Sequence, residues 1–223
     1  IGTINLLEAV CRAAPEVTVL VCSSPEVYGD VLPGPLITED FPLRPVSPYA
    51  LSKVAEDRAA FMYHEAYGLK TIISRGFAHE GPRRPPAFAL SNFAKQIASI
   101  ESGKTPQVIR TGNLCALRTY CDVRDMVKAY WLLAEKGEPG AAYNIVGSKI
   151  MTVAAALEEL VSISPLRDVL GKDVDPRLLR LHDVSWQIGD DSKFRRLTGW
   201  KPTISFSQTL EDLLAWWREE LAR

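Results

Sequence analysis

Apolar residues recur along this chain with two alternating rhythms. Ile4, Leu6, Leu7, Val10 and Cys11 fall at helical spacing. The next segment, VTVLVC (17–22), is β-rich and apolar throughout, as a strand buried in a parallel sheet is. Residues 30–46 are rich in Pro, Gly and Asp and predict a loop. Ser47 then offers an N-cap, and Pro48 suits the first helical position. The spacing predicts a helix to about Tyr67, stopped by Gly68, and LKTIISRGF (69–77) predicts the following strand. Helix, strand, helix and strand joined by short connections imply a parallel sheet wrapped by helices. In such sheets ligands sit beyond the carboxyl ends of the strands. The segments SSPEVYG (23–29) and AHEGPRR (78–84) fall at two such ends.

Further along, residues 87–103 predict a helix closed by Gly103, and QVIR (107–110) a short strand. A helix over 122–137 places Val123, Met126, Val127, Tyr130 and Leu133 on one side. A strand is expected at 141–147 and a helix at 152–163. Residues 165–183, rich in Pro and Arg, have weak periodicity. The tail is an amphipathic helix with Ser205 or Ser207 as its cap.

Composition narrows the function classes. The chain has 223 residues, 47% of them hydrophobic, and a formal net charge of -1. That balance gives no reason to expect nucleic acid or an anionic membrane as a partner. No apolar run approaches the roughly 20 residues that span a bilayer. The first residues lack a basic segment ahead of an apolar one, so no signal peptide is expected. Cys11, Cys22, Cys115 and Cys121 form no C-x-x-C pair and lie at no zinc-ligand spacing from a histidine, and His64, His79 and His182 are scattered. These features predict no metal site and a reducing, cytoplasmic setting. The chain opens without methionine, inside what reads as a helix, so an N-terminal portion is expected to be missing.

The chemistry concentrates in SPYALSK (47–53). Tyr49 and Lys53 are four residues apart and share a helix face. A phenol at its usual pKa near 10 is a poor acid–base group, and a neighbouring ammonium favours its ionised form. The same spacing also occurs by chance on surface helices. Ser23 and Ser24 add hydroxyls at a strand end; as plain turn residues they would need no chemical role.

Ser24, Tyr49 and Lys53 resemble the Ser/Thr and Tyr-x-x-x-Lys constellation of the extended short-chain dehydrogenase/reductase (NAD-dependent epimerase/dehydratase) family. SSPEVYG, SPYALSK, FAHEGPRR, GNLCALRTYCDVRDMVKAYW, YNIVGS and GDDSKFRRLTGWKP together resemble its GDP-mannose 4,6-dehydratase and GDP-4-keto-6-deoxymannose reductase branch. The resemblance covers nearly the whole chain. It implies an α/β fold, a Rossmann-type doubly wound parallel sheet, apparently N-terminally truncated, with a smaller C-terminal substrate-binding region. Residues 1–80 and 118–163 would be the remainder of the dinucleotide-binding domain, and 81–117 and 164–223 the sugar-nucleotide region.

The resemblance also implies roles. Tyr49 would exchange the proton at the sugar's O4, Ser24 would hydrogen-bond that oxygen, and Lys53 would hold the nicotinamide ribose. Glu26 would act on the C5 proton, unless it is only an exposed loop carboxylate. Ser23, Tyr49, Lys53, His79 and Arg84 would contact the cofactor, NADP or NAD. Arg118, Arg180 and Asp183 would hold a GDP-sugar, each of them otherwise an ordinary surface charge. Relatives pair through helices matching residues 2–13 and 47–66, so a homodimer or homotetramer is expected. The implied activity is 4,6-dehydration, with 4-keto reduction or non-catalytic sugar-nucleotide binding as alternatives. Two departures bear on substrate: Ala78 stands where most relatives carry Asn, and Thr119 where they carry Asp. None of the 14 glycines forms G-x-x-G-x-x-G or G-x-G-x-x-G, the loop that grips a dinucleotide's pyrophosphate, so the chain taken alone should bind a dinucleotide weakly or not at all and expose a sheet edge.

Overall fold

The structure is a computed structural model that describes residues 1–179 and 183–223. Helix α1 (Gly2–Ala13) leads to strand β1 (Val19–Cys22), a 3-10 turn (Pro25–Tyr28) and helix α2 (Pro48–Tyr67). Strands β2 (Thr71–Gly76) and β3 (His79–Glu80) follow, then α3 (Ala89–Glu101), β4 (Val108–Thr111), β5 (Leu117–Asp122) and α4 (Val123–Lys136). The remainder is β6 (Ala142–Ile145), β7 (Lys149–Thr152), α5 (Val153–Ser162), β8 (Gly171–Val174), β9 (Trp186–Gln187), α6 (Ser192–Thr198) and α7 (Phe206–Ala222).

The boundaries of α2 have local causes. The Ser47 hydroxyl accepts from the Ala50 amide at 3.0 Å, and Pro48 occupies the first turn, where its missing N–H costs nothing. Gly68 closes the helix at φ 68°, a backbone conformation that side chains disfavour, and its amide donates to the His64 carbonyl at 2.8 Å. Buried Ala50, Ala59 and Ala60 are small enough to let the helix lie close on the sheet. At the far end of the chain Ser205 caps α7.

Strands β1, β2 and β6 form a parallel sheet in that order, with Cys22 opposite Ser74 and Gly76 opposite Ile145. Every residue of β2 is buried, as a central parallel strand requires, whereas β1 lies at the sheet's edge among the described residues. A second sheet is built around β5. It pairs in parallel with β3 (Glu80 opposite Asp122) and β9 (Arg118 opposite Gln187), and antiparallel with β7. Strands β4 and β8 form a separate parallel pair. One apolar core gathers α3, α5 and α7 over β4 and β5; another gathers α4 and α6 against β2 and β6.

Strands β3, β7, β8 and β9 are short, and neither they nor the longer β5 are marked by alternation in the sequence. β5 includes Arg118 and Thr119 beside apolar neighbours. It forms because three other segments present edges to it.

Candidate active site

Strand β1 ends at Cys22, and the chain turns at once. The Ser23 amide donates to the Ser74 carbonyl at 2.7 Å, which continues the strand pairing one residue further. The Ser24 side chain then accepts from the Glu26 amide at 3.2 Å and caps the 3-10 turn. The turn is tight because the carbonyl of Arg44 sits against Gly29, whose φ of 70° and lack of Cβ both suit the close approach. Ser23 and Ser24 are both buried, and among the described residues the Ser23 hydroxyl has no hydrogen-bond partner.

Helix α2 brings Lys53 to this turn. Its Nζ donates to the Cys22 carbonyl at 3.1 Å and to Glu56 Oε2 at 2.9 Å, and lies 6.0 Å from the centroid of the Tyr49 ring. Tyr49 itself is 54% exposed. Tyr130 of α4 comes to the same strand end. Its hydroxyl presses on Gly76, where an added Cβ would lie 2.6 Å away. Burial pushes the Tyr130 phenol well above its ordinary value, and nearby Cys22, Cys121 and Tyr49 add to the effect. Tyr130 therefore stays a neutral hydroxyl.

Glu26 is half-buried and engaged. Its Oε1 accepts from Gln187 Nε2 at 3.1 Å. Gln187 is buried on β9, directly opposite Arg118 of β5. The Arg118 guanidinium donates to the Leu117 carbonyl at 3.0 Å and stands 3.8 Å from Asp183, which also accepts from Asn113 at 2.8 Å. The structure thus brings Arg118 and Asp183 together and links them to Glu26 through one strand pair. Arg180 lies outside the described residues.

His79 and Arg84 sit elsewhere, on β3 and the loop after it. His79 Nδ1 is 2.9 Å from the Phe77 carbonyl and so carries the proton; burial pushes the ring's pKa down, and it stays neutral. Arg84 Nε lies 3.0 Å from the buried carboxylate of Glu80, at an angle that makes no hydrogen bond, and its guanidinium covers the Phe88 ring at 3.7 Å. Burial raises Glu80 to about 7, against the opposing pull of Arg84. Ala78 uses its carbonyl to accept from the Cys121 amide at 2.9 Å, a backbone bond that does not depend on the side chain. Thr119 is buried, with a hydroxyl that has no partner among the described residues.

Sequence reasoning missed Gln187, Tyr130 and Glu56. Glu56 was legible in principle, because i and i+3 share a helix face. Gln187 and Tyr130 carry no local signal. An open cleft of about 630 Å³ between α3 and β4 includes Lys95, Gln96 and Arg110 in its lining, and none of the candidate catalytic residues. Among the described residues no three His, Cys, Asp or Glu gather as metal ligands, and no helix is long and apolar enough to cross a membrane.

Comparison with known proteins bears on the family and the fold. The profile of the family described as GDP-mannose 4,6 dehydratase matches residues 1–213. The chain is 30% identical over 222 residues to the GDP-6-deoxy-D-mannose reductase of Pseudomonas aeruginosa, covering 99% of this chain and 72% of that one. A solved structure of RMD from Pseudomonas aeruginosa complexed with NADPH superposes with a TM-score of 0.89 at 30% identity, over 98% of this chain and 72% of that one. The dTDP-glucose 4,6-dehydratase of Bacillus anthracis in complex with NAD gives a TM-score of 0.85 at 26% identity, over 100% of this chain and 68% of that one. Against curated GDP-mannose 4,6-dehydratases the chain spans between 56% and 65% of their length.

Proposed function

The chain belongs to the GDP-mannose 4,6-dehydratase family, and on that premise we propose that its site serves the 4,6-dehydration of a GDP-hexose with NADP or NAD bound. One observation carries the reading. Lys53, one helical turn after Tyr49, reaches the last carbonyl of β1, beside Ser23, Ser24 and Glu26.

The residues present fit a nicotinamide ribose. Ser23 offers a buried hydroxyl without a partner among the described residues. Lys53 Nζ has three protons, and its two bonds leave one to donate. The bound cofactor supplies a hydride acceptor for C4 and a hydride donor for C6. Tyr49 takes the proton of the O4 hydroxyl, and Ser24 donates to the same oxygen. The C4 ketone acidifies C5–H, and Glu26 removes that proton as the C6 hydroxyl departs. Of the two protons taken, one leaves with the hydroxyl as water and the other returns to C5, so the sum is loss of one water. Arg118 supports diphosphate binding, because a guanidinium fork matches phosphate oxygens, and His79 and Arg84 would approach the cofactor only by leaving their present partners. The sugar-nucleotide region in this reading is residues 81–117 and 164–223; α5, read with the dinucleotide-binding part, shares a core with α3 and α7, which supports counting it here instead.

The test is direct. The protein is incubated with GDP-mannose and NADP, and the alkaline absorbance of a 4-keto-6-deoxy sugar is followed. No product, with GDP binding retained by calorimetry, would favour a non-catalytic sugar-nucleotide-binding protein. A second reading, reduction of a 4-keto sugar, draws on the 30% identity to a reductase across 99% of this chain. There Tyr49 gives its proton to O4, and Glu26 has no proton to take. Loss of NADPH fluorescence with GDP-4-keto-6-deoxymannose decides for it.

The reading extends to a homodimer or homotetramer. Exposed Ile4, Leu6, Leu51, Phe61 and Met62 on α1 and α2 supply apolar surface for it. It also extends to a cytoplasmic setting, in keeping with four free cysteines.

A further inference from the structure

Glu26 and Gln187 stand 161 positions apart in the chain, and each has a clamped backbone. The Glu26 amide is held by Ser24, and its carbonyl accepts from the Gly29 amide at 3.1 Å. Gln187 sits on a two-residue strand paired with Leu117 and Arg118. That strand is flanked by bonds from the Leu117 amide to the Ser185 carbonyl at 2.9 Å and from the Ile37 amide to the Ile188 carbonyl at 2.8 Å. Between these fixed points runs one side-chain contact, Gln187 Nε2 to Glu26 Oε1 at 3.1 Å.

A free glutamate side chain has three rotatable bonds and loses entropy when it is held still. A buried amide, for its part, needs a partner for its N–H. The contact meets both needs, and it leaves Oε2 without a hydrogen bond among the described residues. We propose that Gln187 is a positioning residue for Glu26: its amide grips Oε1 and so sets the direction in which Oε2 meets the C5 proton of the sugar. This rests on the reading of Glu26 as the C5 base. The choice of a neutral amide has a consequence. An arginine or lysine at this place would hold the carboxylate more tightly, and would stabilise its charged form so far that it took up a proton poorly. An aliphatic residue would leave it free to turn. An amide neither gives nor takes a proton, so it orients the base without competing for its chemistry.

The experiment has two arms. In the first, nitrogen–proton spectra of the labelled protein locate the Gln187 side-chain amide by its loss in Gln187→Leu. Glu26→Gln is expected to shift that signal; an unmoved signal shows that the contact is not made in solution and overturns the proposal. In the second, GDP-4-keto-6-deoxymannose is held with the protein in deuterated water, and exchange at C5 is measured without any hydride step. Gln187→Leu is expected to slow exchange about a hundredfold, the scale of a roughly 1 Å misplacement, while the dissociation constant for the sugar nucleotide changes less than about twofold. Exchange at the wild-type rate in Gln187→Leu overturns the positioning role. If the wild-type protein exchanges nothing at C5 yet binds the nucleotide, the reading of Glu26 as base falls, and the positioning role falls with it. The first arm still reports whether the two side chains touch.

Discussion

Arg75 and Asp57 meet through two side-by-side hydrogen bonds inside the protein, Nε to Oδ2 at 2.9 Å and a terminal nitrogen to Oδ1 at 3.0 Å. Arg75 belongs to β2 and Asp57 to α2, two turns past Tyr49. The other terminal nitrogen donates to the Tyr28 hydroxyl at 2.9 Å and to the Glu39 carbonyl at 3.0 Å, and Tyr28 donates in turn to Asn144 at 2.7 Å. Burial works to lower the Arg75 pKa; Asp57 and Tyr28 outweigh it and hold the cation above its ordinary value. One buried guanidinium thus ties the Tyr49 helix to the turn that carries Ser24 and Glu26.

Asp57→Ala should therefore leave a buried charge without its partner, at a cost of about 3–5 kcal/mol. Tyr28→Phe should cost about 1–3 kcal/mol, because it leaves buried groups on Arg75 and Asn144 less well satisfied. Urea unfolding at unchanged slope measures both. If Asp57→Ala costs no more than an exposed substitution, the buried pair does not form.

Glu80 predicts a pH dependence of stability. Burial raises its carboxyl from an ordinary value of 4.5 to about 7 when folded. Between those values the folded state binds more protons than the unfolded state, so this group's contribution to stability falls as pH rises through the window. His79, lowered by burial, acts in the opposite sense up to its ordinary value of 6.5. The difference between wild type and Glu80→Gln isolates the glutamate. Relative to the variant, wild type should lose stability on the order of 3 kcal/mol from pH 4.5 to 7. A difference that does not change with pH would show that Glu80 is solvated.

Gly76→Ala should force the Tyr130 hydroxyl away, since the new methyl would lie 2.6 Å from it. Overpacking of this kind costs about 1–3 kcal/mol. Adding Tyr130→Phe should return most of that loss in thermal unfolding, because it removes the clashing atom. A double variant no more stable than Gly76→Ala would place the strain in the backbone instead.

The proposed chemistry makes its own forecast. Tyr49→Phe should lower turnover by about 10²- to 10⁴-fold, the range of a lost proton-transfer group, and Ser24→Ala by about 10²- to 10³-fold, the range of one lost hydrogen-bond donor to the reacting oxygen. Nucleotide binding by calorimetry should stay within about threefold, because neither residue is read as a diphosphate ligand. An unimpaired Tyr49→Phe enzyme would remove the phenol from the mechanism.

The sequence was most legible where the determinants are local. Ser47, Pro48 and Gly68 mark both ends of α2 because capping acts within four residues. The parallel β1–β2 pair follows from two apolar runs with a helix between them. That Lys53 Nζ lies 6.0 Å from the centre of the Tyr49 ring follows from helical periodicity, and the family follows from motifs spread over the chain. Short strands such as β3 and β9 left no trace, since two residues cannot show a period.

By itself, then, the sequence determined six of the seven helices, the caps of α2, the parallel class of the fold, the family, and the residue types proposed to bear the chemistry; α6 was not foreseen. Only the tertiary structure decided that Gln187 faces Glu26, that Tyr130 abuts Gly76, that Arg75 ties α2 to the Ser24 turn, and that Arg84 is committed to Glu80 and Phe88. Local rules reach about one helical turn, whereas these contacts join segments far apart in the chain, or aim a side chain in a way its neighbours in sequence do not dictate. Such contacts exist only once the packing of two sheets and their helices has fixed where each backbone runs.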